Sequence, residues 1–352
     1  MNHPHNLYFH VPFCDSKCRY CAFYSTACAN PDWDGYCGRI LSELDRWHAK
    51  LGHAVVPTIF FGGGTPSLMP SKVFARIINY VRHKFDIVDD AEITLESNPG
   101  TIGGDRLAEF RSAGMNRLSI GIQSLKIDDL EFLGRRHDVA AAIRLIQDAR
   151  NLGLRVSGDF IYGLPGQTVG DVENLCRQIN ELGLEHCSMY ELSIEPGTPF
   201  ARMSLEMPDN GAMASMYEVI GKTLALPRYE VSNYATSGAE CRHNRNIWNG
   251  QPYIGVGRGA AGRLLMGGVW YEQMGANQKF DEMDGKTRAL ENIIMGLRTL
   301  RGVVITPDVR DIMNWDFVRQ HPELLELKSD NRIAATEKGI LILNNLLVNL
   351  VK

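Results

Sequence analysis

No stretch of this 352-residue chain approaches about 18 uninterrupted apolar residues, so a bilayer-spanning helix is excluded. A basic leader is also missing, and the short apolar run near the start soon meets Pro12 and Cys14, so no secretory signal is expected. There is no excess of positive charge. Thirty-seven Lys and Arg face 41 Asp and Glu, a net charge of -4, which weighs against a protein built to grip a phosphate backbone. Internal repeats, low-complexity tracts and an appended RNA-binding module are absent, and with them the case for a nucleic-acid partner such as tRNA. A disulfide framework is not expected either. The expected address is the cytosol, where thiols stay reduced, so a tight cluster among the eight cysteines needs a chemical reason.

What is present is ordinary globular composition, 44% hydrophobic and 22% charged, at a length that suggests two domains or one large one with an appendage. Six β-rich runs mark the first half: Leu7–Val11, Val55–Phe61, Ala91–Leu95, Arg117–Ile122, Leu154–Ile161 and Cys187–Leu192. Helical patterns lie between them at Asp34–Leu51, Ser71–Lys84, Gly104–Ala113, Ala140–Leu152 and Val169–Leu182. Alternation of this kind predicts an α/β protein of repeated βα units around a parallel sheet. Periodicity does not choose between a full or partial barrel and an open doubly wound sheet. In each case function should gather at the carboxyl ends of the strands, and the Gly-, Asn- and Cys-bearing motifs fall there. We divide the chain at 1–230, a Gly/Asn/Arg-rich loop region at 231–286, and a small, mainly helical domain at 287–352. Ile340, Leu343, Leu347 and Leu350 form a core-facing stripe on a final helix.

The strongest chemical signal is Cys14-x3-Cys18-x2-Cys21. Three thiolates within eight residues can be turned inward by one loop to hold a corner of an inorganic cluster. No fourth cysteine falls at a natural spacing, so an iron–sulfur cube here would keep one iron open to a small molecule. Zinc is the alternative, with His10 as a fourth ligand. The other five cysteines read as buried thiols, with Cys241 held in reserve.

The cysteine spacing after a first strand, with Gly62-Gly63-Gly64-Thr65-Pro66 after the second, resembles the radical S-adenosylmethionine (radical SAM) superfamily. That resemblance implies a partial (β/α)6 barrel, a [4Fe-4S] cluster on Cys14, Cys18 and Cys21, and SAM chelated to the open iron. The motifs Leu95-Glu-Ser-Asn-Pro-Gly100, Arg117-Leu-Ser-Ile-Gly-Ile-Gln-Ser124, Gly134-Arg-Arg-His-Asp138 and Asp159-Phe-Ile-Tyr-Gly-Leu-Pro-Gly-Gln167 stand in order behind it. Together with His243-Asn-Arg-Asn-Ile-Trp248 they resemble the oxygen-independent coproporphyrinogen oxidases and their relatives, the HemW-type haem chaperones. Tyr20 and Phe23 stand where the oxidase branch continues its cysteine motif differently, and the oxidases' N-terminal extension is lacking. His243-Asn-Arg with Trp248 is similar to the chaperone signature, although Ile247 replaces its usual tyrosine. These differences favour the chaperone branch.

By residue, the resemblance implies that Tyr8 and Tyr20 line SAM. Gly63, Gly64 and Thr65 would present backbone near its methionyl amino group, where a side chain would collide. Glu96 would accept from ribose hydroxyls or that amino group; otherwise it is a surface carboxylate. Gln123, Arg135 and Asp159 match SAM contacts of the oxidase branch, some of them around a second SAM. Asp159 could instead be buried against Arg135 or Arg117. His243 is the expected axial haem ligand, with Cys241 a second option. Arg258 and Ala261 replace a family proline and histidine, so no role is carried over there.

The leading expectation is therefore a binding protein that holds haem and delivers it to haem-requiring proteins, membrane-bound respiratory enzymes being one class of acceptor. The alternative is a radical enzyme acting on coproporphyrinogen. Whether SAM is cleaved productively, and the oligomeric state, are not read from the sequence.

Overall fold

The computed structural model describes residues 4–274 and 279–352. Six strands follow one another: β1 (Asn6–Val11), β2 (Val55–Gly63), β3 (Asp86–Ser97), β4 (Arg117–Gln123), β5 (Arg155–Tyr162) and β6 (His186–Glu191). They lie side by side in chain order, each parallel to the next. The connections carry α1 (Trp33–Leu51), α2 (Ser71–Lys84), α3 (Gly104–Ser112), a short α4 (Ile127–Leu133), α5 (Val139–Asn151) and α6 (Val169–Leu182). Local chemistry sets their ends. The Asp32 side chain caps α1 at the Gly35 amide, and Thr168 and Asp171 form a reciprocal capping box on α6.

Strand residues alternate strictly between two environments. Leu7, Phe9 and Val11 of β1, Ile59 and Phe61 of β2, and Leu118, Ile120 and Ile122 of β4 are buried in the apolar core. Phe9 stacks on Phe61 at 4.6 Å, and aromatic packing continues through Phe74 of α2 to Phe110 of α3. The alternate positions are mostly polar or small, Tyr8 and His10, Thr58 and Gly62, Ser119, Gly121 and Gln123, with Phe60 among them. One face is oil and the other is chemistry.

The stretch 231–286, expected as a loop region, is instead largely regular structure. Strand β7 (Asn233–Ala235) adds antiparallel to β6, and β8 (Tyr253–Val256) adds parallel to β1 at the far side. Beyond β8, β9 (Gly262–Met266), β10 (Val269–Met274) and β11 (Lys279–Met283) continue antiparallel, so among the described residues the sheet has eleven strands. Here glycine marks close approach rather than looseness. A Cβ at Gly255 would sit 2.3 Å from the Ala261 carbonyl oxygen, and one at Gly262 would sit 2.8 Å from that of Tyr253. The His243 motif forms helix α8 (Arg242–Trp248). Between β6 and β7 lies α7 (Asn210–Thr223), also unforeseen.

The last segment begins with α9 (Gly285–Gly296) and has its own apolar cluster, including Ile293, Val309, Met313 and Ile333. Besides helices it holds a three-stranded antiparallel sheet of Val303–Val304, Arg332–Ala335 and Leu325–Lys328. The expected final helix is two, Glu337–Leu341 and Leu343–Leu350, broken at Ile342. Among the described residues no helix is long and apolar enough to cross a membrane.

The polar face closes beneath α8. Thr58 donates to Asn6 Oδ1 at 2.8 Å, and its oxygen lies 2.7 Å from His243 Nδ1. Asn6 in turn donates to the Pro252 carbonyl and accepts from Asn246. Buried Glu92 accepts the backbone amides of Arg242 and His243 and pairs with Arg155 at 3.0 Å. Burial alone would raise this carboxyl, but Arg117, the two amides and Arg155 outweigh it and hold it below its ordinary value. A Thr58→Val substitution keeps the shape and strands the Asn6 and His243 partners. It should cost about 1–3 kcal/mol, read as a lower urea midpoint at unchanged slope.

Candidate functional site

At the carboxyl ends of the six parallel strands lies a cavity of about 390 Å³. Its wall includes Cys14, Cys18, Cys21, Tyr20, Gly63, Gly64, Thr65, Glu96, Gln123, Arg135 and Asp159. Eleven residues expected for cluster and SAM thus meet at one place, although they come from five strand ends and span 146 positions of sequence.

The cysteine loop is shaped by backbone ties. Phe13–Cys14 pairs with Thr26–Ala27, and the amides of Thr26 and Cys28 donate to the carbonyls of Pro12 and Cys14. At its far end Arg19 donates its amide to Leu133 and its guanidinium to Phe132, docking the loop on the end of α4. The loop is pinned at both ends, with its thiols between.

The glycine turn proves mechanical, and its visible partners are protein. A Cβ at Gly64 would sit 2.6 Å from the Phe13 carbonyl oxygen and 3.0 Å from Cys14 Sγ. One at Gly63, whose φ is +113°, would strike the His10 ring at 2.6 Å. The amides of Gly63, Gly64 and Thr65 are spent on Glu96, Val11 and Phe13. These amides are thus satisfied within the protein, and the glycines let the cysteine loop close.

His10 is not free to complete a zinc site. Its Nε2 lies 2.7 Å from the Tyr24 carbonyl oxygen, which fixes the proton there, and its Nδ1 accepts from Tyr8 at 3.0 Å. Burial lowers its pKa, so the ring is neutral. Among the described residues no group of three or more His, Cys, Asp or Glu side chains is disposed around a single metal ion. The three thiols on a shared wall, with room kept by Gly64, fit a multi-iron cluster held at three corners. Tyr8 does not line the cavity. Its hydroxyl is spent on His10 Nδ1.

Carboxyls dominate the deeper wall. Asp159 accepts from Ser119 at 2.9 Å and Ser188 at 2.7 Å, and the buried Arg117 guanidinium attracts it from further off. Burial raises its pKa against those hydrogen bonds. Glu96 is pushed up to about 8 by burial first and by Asp159 second, with the Gly63 amide opposing. At neutral pH Glu96 therefore holds a proton and can donate. Gln123 reaches the cavity from a residue with φ of +70°, at a register shift between β4 and β5, a conformation that costs free energy outside glycine. Asn98, to which the sequence reading gave no role, donates to Thr65 and accepts from Arg135 at 2.6 Å. Its signal was there, two residues past Glu96 in a strand-end motif. Tyr190, Glu191 and Glu195 complete the outer wall, as does Phe23, which is 68% exposed.

His243 is elsewhere. Its ring is 2% exposed, lies 5.1 Å from Phe60 and 6.5 Å from Tyr8, and burial holds its pKa down at about 4. The expectation that it offers an imidazole to haem iron meets a ring enclosed under β1 and β2, with Nε2 unpartnered in the interior. Cys241 is equally buried, its thiol 3.7 Å from Glu92.

The model of the radical SAM superfamily matches residues 8–179. Heme chaperone HemW of Escherichia coli (strain K12) is 40% identical over 266 residues, covering 74% of this chain and 70% of that protein. The mitochondrial radical S-adenosyl methionine domain-containing protein 1 of Danio rerio is 34% identical over 333 residues, 91% of this chain and 75% of that one. Among solved structures, the Escherichia coli coproporphyrinogen III oxidase HemN superposes with a TM-score of 0.83 over 99% of this chain and 90% of that one. At 20% identity that likeness speaks for the fold.

The Glu96 proton leaves a mark on stability. The unfolded chain releases it near 4.5, whereas the folded chain keeps it to about 8, so folding loses stability as pH rises between those values. Glu96→Gln should flatten that decline, checked by urea midpoints of both proteins at pH 5 and pH 8.

Proposed function

The chain belongs to the HemW family of radical SAM proteins, and from that premise we propose that it is a haem chaperone whose strand-end cavity takes a [4Fe-4S] cluster and SAM. In this reading the six parallel strands form the partial (β/α)6 barrel of the superfamily, and Cys14, Cys18 and Cys21 hold the cluster. The cluster, when bound, supplies an electron to SAM. The protein binds, orients and excludes water.

The observation that carries the reading is the 40% identity to a named heme chaperone across most of the chain. The cavity adds physical support. Four carboxyl side chains, Glu96, Asp159, Glu191 and Glu195, face it against the cations Lys17 and Arg135. A cationic sulfonium ligand suits such a wall, and Glu96, Gln123 and Asp159 provide acceptors for ribose and amino groups. In this reading haem is bound for delivery to acceptor proteins, as the name of the 40% identical relative suggests, and coproporphyrinogen is not a substrate. Coordination of haem iron by His243 requires α8 to swing out and expose the ring.

Anaerobic purification with iron, sulfide and haem-binding analysis on one sample tests the reading. We expect iron and sulfide in near-equal amounts, lost in Cys18→Ser, and a stoichiometric haem complex with a shifted Soret band. Colourless protein carrying zinc, no Soret shift at equimolar haem, or decarboxylated product from coproporphyrinogen with SAM and reductant would overturn it. In the same titration, loss of the Soret shift in His243→Ala supports a ligand exposed by opening, and an unchanged spectrum assigns that ring to the core.

A further inference from the structure

Arg135 stands between the cysteine loop and the strand ends, and its donors are distributed in a way that SAM contact does not require. Nη1 points to Cys18 Sγ at 3.4 Å. Nη2 donates at 2.6 Å both to Asn98 Oδ1 and to the Gly121 carbonyl oxygen. The guanidinium is thus clamped through one nitrogen by β4 and by Asn98, just past the end of β3, while the other is aimed at a thiol. Geometry before Arg135 builds the same aim. Gly134 ends α4 in the left-handed region at φ +75° and turns the chain back towards the cysteine loop, where a Cβ would press on Arg19 at 3.2 Å. Gly121 keeps the space clear, since a Cβ there would lie 3.0 Å from Arg135 Nη2.

We propose that Arg135 is a positioning residue that sets the reduction potential of the iron–sulfur cluster by donating a hydrogen bond, with its charge, to the Cys18 thiolate. The inference rests on the reading that Cys14, Cys18 and Cys21 hold that cluster. Reduction adds one electron to the cube and makes its thiolate shell more negative, so a fixed N–H donor beside one sulfur stabilises the reduced state more than the oxidised one. A guanidinium suits this task because it stays charged and its fork satisfies carbonyl, amide and thiolate together. Lysine has the charge without the fork. Nη2, held by the Gly121 carbonyl and Asn98, fixes the plane in which Nη1 is presented to Cys18.

The test compares wild type, Arg135→Lys and Arg135→Met, each reconstituted anaerobically, assayed for iron and sulfide, and titrated with dithionite as one-electron donor under EPR without SAM. We expect equal iron in all three and a midpoint potential that becomes more negative in Arg135→Lys and more negative still in Arg135→Met. Full iron content with an unchanged midpoint in both variants overturns the proposal. Loss of iron from both variants also overturns it, leaving Arg135 a mere prop for the loop. Wild-type protein that takes up no iron and sulfide overturns the cluster reading itself, and the two failures are told apart by the wild-type assay alone.

Discussion

A parallel sheet with one polar face has to satisfy that face without water, and the rest of this structure follows from how it does so. The helix-covered side of the strands is conventional core, with Phe9, Phe61, Phe74 and Phe110 in continuous aromatic contact. The opposite side carries Thr58, Glu92, Arg117, Ser119, Asp159 and Ser188, groups that are costly to bury without partners. At the strands' amino ends α8 supplies those partners through its first amides and His243. At their carboxyl ends the polarity is left open to a cavity. The same alternation that makes the sheet foldable on one side makes it chemical on the other.

This arrangement separates two motifs that look equally functional on paper. The cysteine loop is held at the rim by backbone ties that leave its thiols facing the cavity. The His243 motif is drawn inward, where Glu92 takes the start of α8 and Thr58 takes the imidazole. Asp159 ties the cavity to the last segment of the chain. Through Ser188 and Asn233 it connects to buried Glu230, which reaches Arg298 of the final segment at 3.4 Å. The last part of the chain is therefore joined to the sheet by charge as well as by packing.

Local periodicity was a good guide wherever one face of an element meets the core. Ser71–Lys84 and Val169–Leu182 have the bounds their apolar spacing predicts, and the six strand positions agree within a few residues. Strand β3 begins earlier than expected because Asp86, Asp89 and Asp90 disguise its exposed start. Helix α7 was missed because small residues weaken its stripe and only Met216 and Ile220 are buried. The cavity wall was legible because each motif sits at a strand end, which parallel topology gathers on one rim. The place of His243 was not legible. Its partners Thr58 and Glu92 lie 185 and 151 residues away, and no local pattern reports contacts at that range.

The pairing of β1 with β8 has a consequence for how the chain comes to be folded. Asn6 bonds to Pro252 across 246 positions, and β1 receives its second parallel neighbour only from Tyr253–Val256. On a ribosome, β1 waits with one edge bare until Tyr253–Val256 has been made. Closing a loop of that span is entropically slow, so the nascent sheet stays open on the free side of β1. The thiols just past that strand are made long before the wall that completes their surroundings.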